Sequence, residues 1–258
     1  LILLHTKKKN TQLKNKMNKI LVILPNNLGD VIMTLPVLQG LKTQDCNNEI
    51  TFFVEEGYEA SLINNPACDK IYSFKRKKLK EIITSGNWRD SITLLKEYLL
   101  PLVNEQYDRI INLCQHSYVA MFLSLFDKNK ILGQHYLREG NYSIQDEWSI
   151  YLYAIPFARQ FNSLHVIDVY KNIAGVGEID SDFEIKITEN ETKNIINRIF
   201  DGISDNLKIA ILQPGAAYES KQWGIDNFVE LAKWLVKDGY QIIITGAESE
   251  KEMALGIC

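Results

Sequence analysis

Two stretches of the chain carry residues able to do chemistry. The first is LPNNLGDVIMTLPVLQGLK, residues 24–42, and its acid is Asp30. The apolar run KILVIL just before it is short and bounded by turn formers, as a central strand of a parallel sheet would be. Asn26, Asn27, Leu28 and Gly29 then form a loop at that strand's carboxyl end, with Asn and Gly tolerating unusual backbone angles. Open α/β sheets take their ligands at that edge, so an acid placed there can point into the crevice while the following helix offers backbone donors. The plainer reading of Asp30 is a helix N-cap, because Val31, Ile32 and Leu35 begin a helical apolar stripe. On local sequence alone that plainer reading is the commoner one.

The second stretch is GAAYESKQWGIDNFVELAKWL, residues 215–235, which follows the apolar run KIAILQP and repeats the order of strand, small-residue loop and helix. Gly215, Ala216 and Ala217 let the backbone approach a ligand, so that amide donors can face a phosphate. Lys221 adds a point charge suited to a diphosphate, although a lone lysine is usually only solvated. Trp223, Phe228, Leu231, Ala232 and Leu235 read as the apolar stripe of the helix, which assigns Trp223 to packing.

The elements that must position these residues alternate. Strands are expected near 19–25, 49–54, 70–74, 108–113 and 130–133, and helices near 31–43, 58–64, 89–104 and 117–126. That rhythm predicts an α/β fold with a parallel sheet covered on both faces. Pro36 should kink the helix at 31–43 or mark its first turn. Residues 134–162 are rich in aromatics and lack periodicity, which suits sugar stacking but better suits an irregular loop packed on a sheet. HVIDVYKNIAGVG, residues 165–177, reads as a helix ending at glycines, and ENETKNIINRIF, residues 189–200, as another.

Composition bounds the possibilities. A chain of 258 residues with 46% hydrophobic content can bury a sizeable core, and a net charge of −3 does not favour bulk nucleic-acid binding. The cysteines 46, 68, 114 and 258 are scattered without C-x-x-C spacing, so they suggest neither zinc nor a disulfide framework. The run KRKKLK, with Lys75, Arg76, Lys77, Lys78 and Lys80, reads first as a solvated charged turn; its functional alternative is a contact with anionic lipid headgroups or a phosphorylated acceptor. His116 follows the strand YDRIINLC and is more readily a structural hydrogen-bonder than a catalyst. Residues 1–16 do not read as part of the fold; they are expected to be a disordered or non-native extension, with Met17 the natural start.

Four motifs carry a resemblance. Leu28-Gly29-Asp30 followed by Thr34, Leu35-Pro36 and Leu38 resembles the opening of the family 9 glycosyltransferases, the heptosyltransferases that transfer heptose from ADP-heptose onto lipopolysaccharide core. P-G-A-x-x-x-S-K-x-W, residues 214–223, resembles the second signature of that family, and H-x-x-D-x-Y at His165, Asp168 and Tyr170 a recurring feature before its interdomain connection. The strand at Tyr107 is similar to the family's Y-D-x-x-I-D-L-Q, with Asn112 in place of Asp and Cys114 in place of Gln. The resemblance implies a GT-B arrangement, two Rossmann-like lobes facing a cleft. It implies Asp30 as general base, beside Asn27, Leu28 and Gly29 at the acceptor and donor cleft. It also implies donor binding by Gly215, Ala216, Ser220, Lys221 and Glu250, the last on the nucleotide ribose. It implies an inverting transfer, no metal or other cofactor, a nucleotide-diphosphate sugar and a glycolipid acceptor as partners, and a cytoplasmic location, peripheral on the membrane face.

On this basis residues 17–178 form an acceptor-side domain and residues 179–258 part of a nucleotide-sugar domain. The family's later D-[ST]-G-x-x-H segment is absent, so the chain is expected to be a fragment or a truncated product with an incomplete second lobe. Two other classes stay open. One is a noncatalytic nucleotide- or glycan-binding relative. The other is a dinucleotide oxidoreductase, disfavoured because N-N-L-G-D lacks G-x-G-x-x-G.

Overall fold

The computed structural model describes residues 17–137, 139–183, 185–199, 208–216 and 218–257, so the extension expected at 1–16 and Ala217 lie outside the described residues. The chain separates into two compact units, one through Lys186 and one from Ile187.

The first unit is built on five parallel strands: β1 (Lys19–Ile23), β2 (Glu49–Glu55), β3 (Lys70–Phe74), β4 (Arg109–Asn112) and β5 (Ile131–Leu132), in the order β3-β2-β1-β4-β5. β1 pairs with β2 (Leu21 beside Thr51) and with β4 (Ile23 beside Asn112), which puts the ends of β1 and β4 side by side. Both neighbours cover β1, and its residues from Ile20 onward are buried, hence the unbroken apolar run.

The helix expected at 31–43 is two helices, α1 (Leu28–Ile32) and α2 (Leu35–Gln44). Pro36 has no N–H to give the Ile32 carbonyl, so it sits in the first turn of α2, where none is needed. The Thr34 hydroxyl donates to the Val31 carbonyl at 2.6 Å across the break. Later in α2, Gly40 lies against Val176: a Cβ there would stand 3.0 Å from the valine side chain, so only glycine allows the approach without displacement.

Other elements differ from the sequence pattern. At 58–64 there is only one 3₁₀ turn, Glu59–Ser61, ended by Asn64 in the left-handed region (φ 62°) ahead of Pro66. The basic run is not a turn: it opens α3 (Arg76–Thr84), which packs on α4 (Trp88–Asn104). α5 (Ser117–Leu123) follows β4. The aromatic stretch is more regular than expected, with an antiparallel pair β6 (His135–Tyr136) and β7 (Tyr142–Ser143), then α6 (Glu147–Ala154) capped by Asp146. α7 (Val166–Ile173) packs on α2 and α6, and the chain turns after it at Gly175.

The second unit contains α8 (Glu189–Ile199), β8 (Lys208–Leu212), α9 (Ile225–Lys237), β9 (Tyr240–Ile244) and α10 (Lys251–Leu255). Its two strands are parallel, with Ala210 beside Ile242. Leu212, Ala232 and Ile257 form its core, with Phe228, Leu231 and Leu235 of α9 packed around them. Trp223 does not join that stripe. Gly224, with φ 95°, turns the chain before α9, leaving Trp223 outside the helix, 56% exposed and edge-on to Phe228.

Candidate functional site

Asp30 lies in the first turn of α1, immediately past the carboxyl end of β1. The N-cap is Asn27, with extended backbone and no side-chain cap bond, so Asp30 is not consumed by capping. Gly29 has ordinary helical backbone, and a Cβ on it would meet nothing, so the loop does not use the conformational freedom its composition offers. Asp30 is half-buried, and among the described residues its carboxylate takes part in no hydrogen bond or ion pair. Asn27, Leu28 and Gly29 are exposed beside it.

The end of β4 is tied to the loop ahead of this acid. The Cys114 thiol donates to Asn26 Oδ1 at 3.5 Å, and the Asn112 side chain accepts from Cys114 N at 3.0 Å while donating to the Gln134 carbonyl at 2.7 Å. Burial, with Asp30 as a neighbouring charge, pushes the Cys114 thiol up to about 12, so the sulfur stays protonated and acts as a donor. Tyr170 of α7 belongs to the buried core of the same unit. It is 5% exposed, and burial, together with the nearby Asp30 and Cys114, raises its phenol above the usual value. His116 stacks on Tyr118 with ring centroids 5.5 Å apart and N-caps α5 through its backbone alone.

The basic residues divide. Arg76 pairs with the buried Glu55 at the end of β2 at 2.8 Å, and Lys75 with Glu56 at 3.2 Å. These two are held at the sheet's edge, while Lys77, Lys78 and Lys80 are exposed on α3, with the exposed Glu81 following them. The buried acid ending the apolar run EITFFVE was the signal for this pair.

In the second unit, Gly215, Gly246 and Glu250 come together. Glu250 Oε2 accepts from Ala247 N at 2.7 Å, and its carboxylate lies directly over Gly215: a Cβ there would fall on it. Pro214, Gly246, Ala247 and Glu250 border a cavity of about 220 Å³ at the carboxyl ends of β8 and β9. Ala216 accepts from Gln222 Nε2 at 3.5 Å. Ser220 and Lys221 lie in the 3₁₀ turn Glu219–Lys221, both exposed, with Lys221 Nζ 5.4 Å from the Tyr218 ring centre. Among the described residues no helix is long and apolar enough to cross a membrane.

Residues 100–256 match the model of the family described as Glycosyltransferase family 9 (heptosyltransferase). The chain is 21% identical over 229 residues to lipopolysaccharide heptosyltransferase 3 of Escherichia coli (strain K12), covering 88% of this chain and 62% of that protein. Among solved structures it resembles a family 9 glycosyl transferase from Veillonella parvula DSM 2008, with a TM-score of 0.70 at 20% identity over 93% of this chain and 66% of that one. It also resembles E. coli ADP-heptose lps heptosyltransferase II, with a TM-score of 0.60 at 18% identity over 93% and 67%. The fold is therefore α/β of the GT-B type, and the chain spans about two thirds of the length of these structures.

Proposed function

The chain belongs to glycosyltransferase family 9, and from that premise we propose that it serves an inverting transfer of a heptose-like sugar from a nucleotide-diphosphate donor, ADP-heptose, to a hydroxyl of a lipopolysaccharide-core-like acceptor. The observation that carries this reading is the state of Asp30: a half-buried carboxylate at the carboxyl edge of a parallel sheet, outside the capping role and without an internal partner. In the reaction the acceptor oxygen gives its proton to Asp30 and bonds to the anomeric carbon. The bond from that carbon to the diphosphate breaks with its electron pair on the leaving oxygen. Lys221, Ser220 and the amides at Gly215 and Ala216 hold the departing diphosphate, where negative charge grows, and Glu250 faces the nucleotide ribose. Asn27, Leu28 and Gly29 form the floor on which the acceptor rests.

The location that suits such an acceptor is the cytoplasmic membrane face. Lys77, Lys78 and Lys80 supply the peripheral contact with anionic lipid, each charge contributing about 1 kcal/mol near such a surface.

The test is to incubate the chain with ADP-heptose and heptose-deficient lipopolysaccharide and to weigh the acceptor by mass spectrometry. A gain of one heptose supports the reading. ADP binding without any gain in mass would overturn it for this chain in favour of a noncatalytic nucleotide-binding relative, and tight NADH binding would point to the oxidoreductase instead.

A further inference from the structure

Asp30 rides on a helix that does not hold itself in place. α1 is five residues long, too short to persist without tertiary support, and its N-cap side chain makes no bond to it. Its far end is fixed: Val31 is fully buried, and the Thr34 hydroxyl donates to the Val31 carbonyl at 2.6 Å. Its near end is the loop at residues 25–29. Among the described residues one hydrogen bond joins that loop to another element, from the Cys114 thiol to Asn26 Oδ1 at 3.5 Å. The sulfur is engaged on both sides, since Sγ also accepts from His116 N at 3.4 Å. Cys114 is 1% exposed, and burial keeps its thiol protonated, so its one hydrogen is available for Asn26.

We infer that Cys114, acting through Asn26, is a positioning residue for Asp30: the thiol fixes the loop from which α1 starts, and with it the place of the carboxylate relative to an acceptor hydroxyl. Cys114 touches no reacting atom in this scheme. Its contribution is geometric, because a base must meet its proton within hydrogen-bond reach, and a displacement of about 1 Å costs on the order of a hundredfold in rate. The support behind the thiol is rigid. The Asn112 side chain accepts from Cys114 N at 3.0 Å and donates to the Gln134 carbonyl at 2.7 Å, so the tie runs back across the ends of β4 and β5 instead of stopping at one side chain. That Asp30 acts as a base rests on the transferase reading; the bond between Cys114 and the loop does not.

The experiment has two arms on the full chain. In the first, Cys114→Ala, Asn26→Ala and the double variant are compared with wild type in the ADP-heptose assay on heptose-deficient lipopolysaccharide. Each single change should lower kcat about tenfold with KM for ADP-heptose unchanged, and the double variant should fall no further, because both remove the same bond. Cys114→Ser, which keeps a donor, should recover most of the loss. Additive losses, a loss carried by KM for ADP-heptose, or wild-type kcat in Asn26→Ala would overturn the assignment. Asn26→Ala alters a half-buried loop position and leaves the core alone, so it decides the matter if Cys114→Ala does not fold. In the second arm, amide hydrogen exchange is followed by NMR at Val31 and Met33, which donate to the Asn27 and Gly29 carbonyls, and at Leu113, which donates to the Ile23 carbonyl in the sheet. Asn26→Ala should speed exchange at Val31 and Met33 and leave Leu113 as in wild type. Unchanged exchange at Val31 and Met33 overturns the tie whatever the activity. If wild type transfers no sugar but exchange in α1 still responds, the transferase reading fails and the tie stands.

Discussion

The Cys114 thiol lies 3.5 Å from Asn26 Oδ1 and ties the end of β4 to the loop that carries Asp30. Behind it the Asn112 side chain, 2% exposed, joins two further backbones, accepting from Cys114 N and donating to the Gln134 carbonyl. Asn112 therefore needs both an acceptor and a donor. Asn112→Asp keeps the first and loses the second, placing a carboxylate against a carbonyl in a buried site. The expected cost at pH 7 is about 2–4 kcal/mol, measured as a lower urea midpoint. Protonation restores the donor, so the deficit should shrink as the pH falls toward 4 or so, about the ordinary aspartate value. An unchanged midpoint at pH 7 would refute the bridging role.

Asp30→Asn removes the base and keeps the shape. Transfer should fall by about 10²–10⁴-fold, the usual worth of a positioned general base, while calorimetric titration with ADP returns the wild-type affinity. The residue is half-buried and without internal partners, so the melting temperature should hold. Retained turnover would remove Asp30 from the mechanism.

How far the sequence was legible depended on the kind of signal. β1 was plain because a strand covered by neighbours on both sides shows as a continuous apolar run, and the position of Asp30 followed from the loop after it. α3 was hidden because RKKLKEIIT shows its charges before its spacing: Leu79 and Ile82 face inward, one helical step apart, but four cations in five residues read as a solvated turn. The hairpin at β6 and β7 was hidden because two-residue strands carry no periodicity. Trp223 was misplaced because an apolar residue just ahead of the α9 stripe reads as its first member, and only the positive φ of Gly224 sets it outside the helix. The surroundings of Asp30 were out of reach altogether, because Asn26 and Cys114 meet through topology rather than through spacing.

Gly215 admits no side chain. A Cβ at that position would coincide with the Glu250 carboxylate, which is held in turn by Ala247 N. Gly215→Ala must push Glu250 out of its place, at a cost of about 1–3 kcal/mol for the forced shift. The variant should melt at a lower temperature and bind ADP more weakly. Gly29→Ala, where a Cβ meets nothing, serves as the control and should do neither. Equal melting temperatures for the two variants would show that Glu250 moves freely and does not shape the loop.

At the opposite edge of the first sheet, Glu105 accepts from Lys70 Nζ at 2.8 Å and from Lys19 Nζ at 3.0 Å, which joins the end of α4 to the starts of β1 and β3. The Lys70 ammonium, and after it Lys19, hold the Glu105 carboxyl below its ordinary value of 4.5 against the opposing effect of burial. A carboxyl lowered in the folded state binds its proton more readily when unfolded. Its stabilisation is therefore complete above the ordinary glutamate value and is lost as the pH falls through the lowered one. Because the pairs are partly exposed and screened by salt, the contribution is about 1 kcal/mol. Glu105→Gln should lower the urea midpoint at pH 7 and converge with wild type once the pH has fallen through the lowered value, where the wild-type carboxyl is protonated too. Raising the salt to about 1 M should narrow the gap at neutral pH. Two curves that run parallel from pH 7 downward would mean that Glu105 acts through packing and not through its charge.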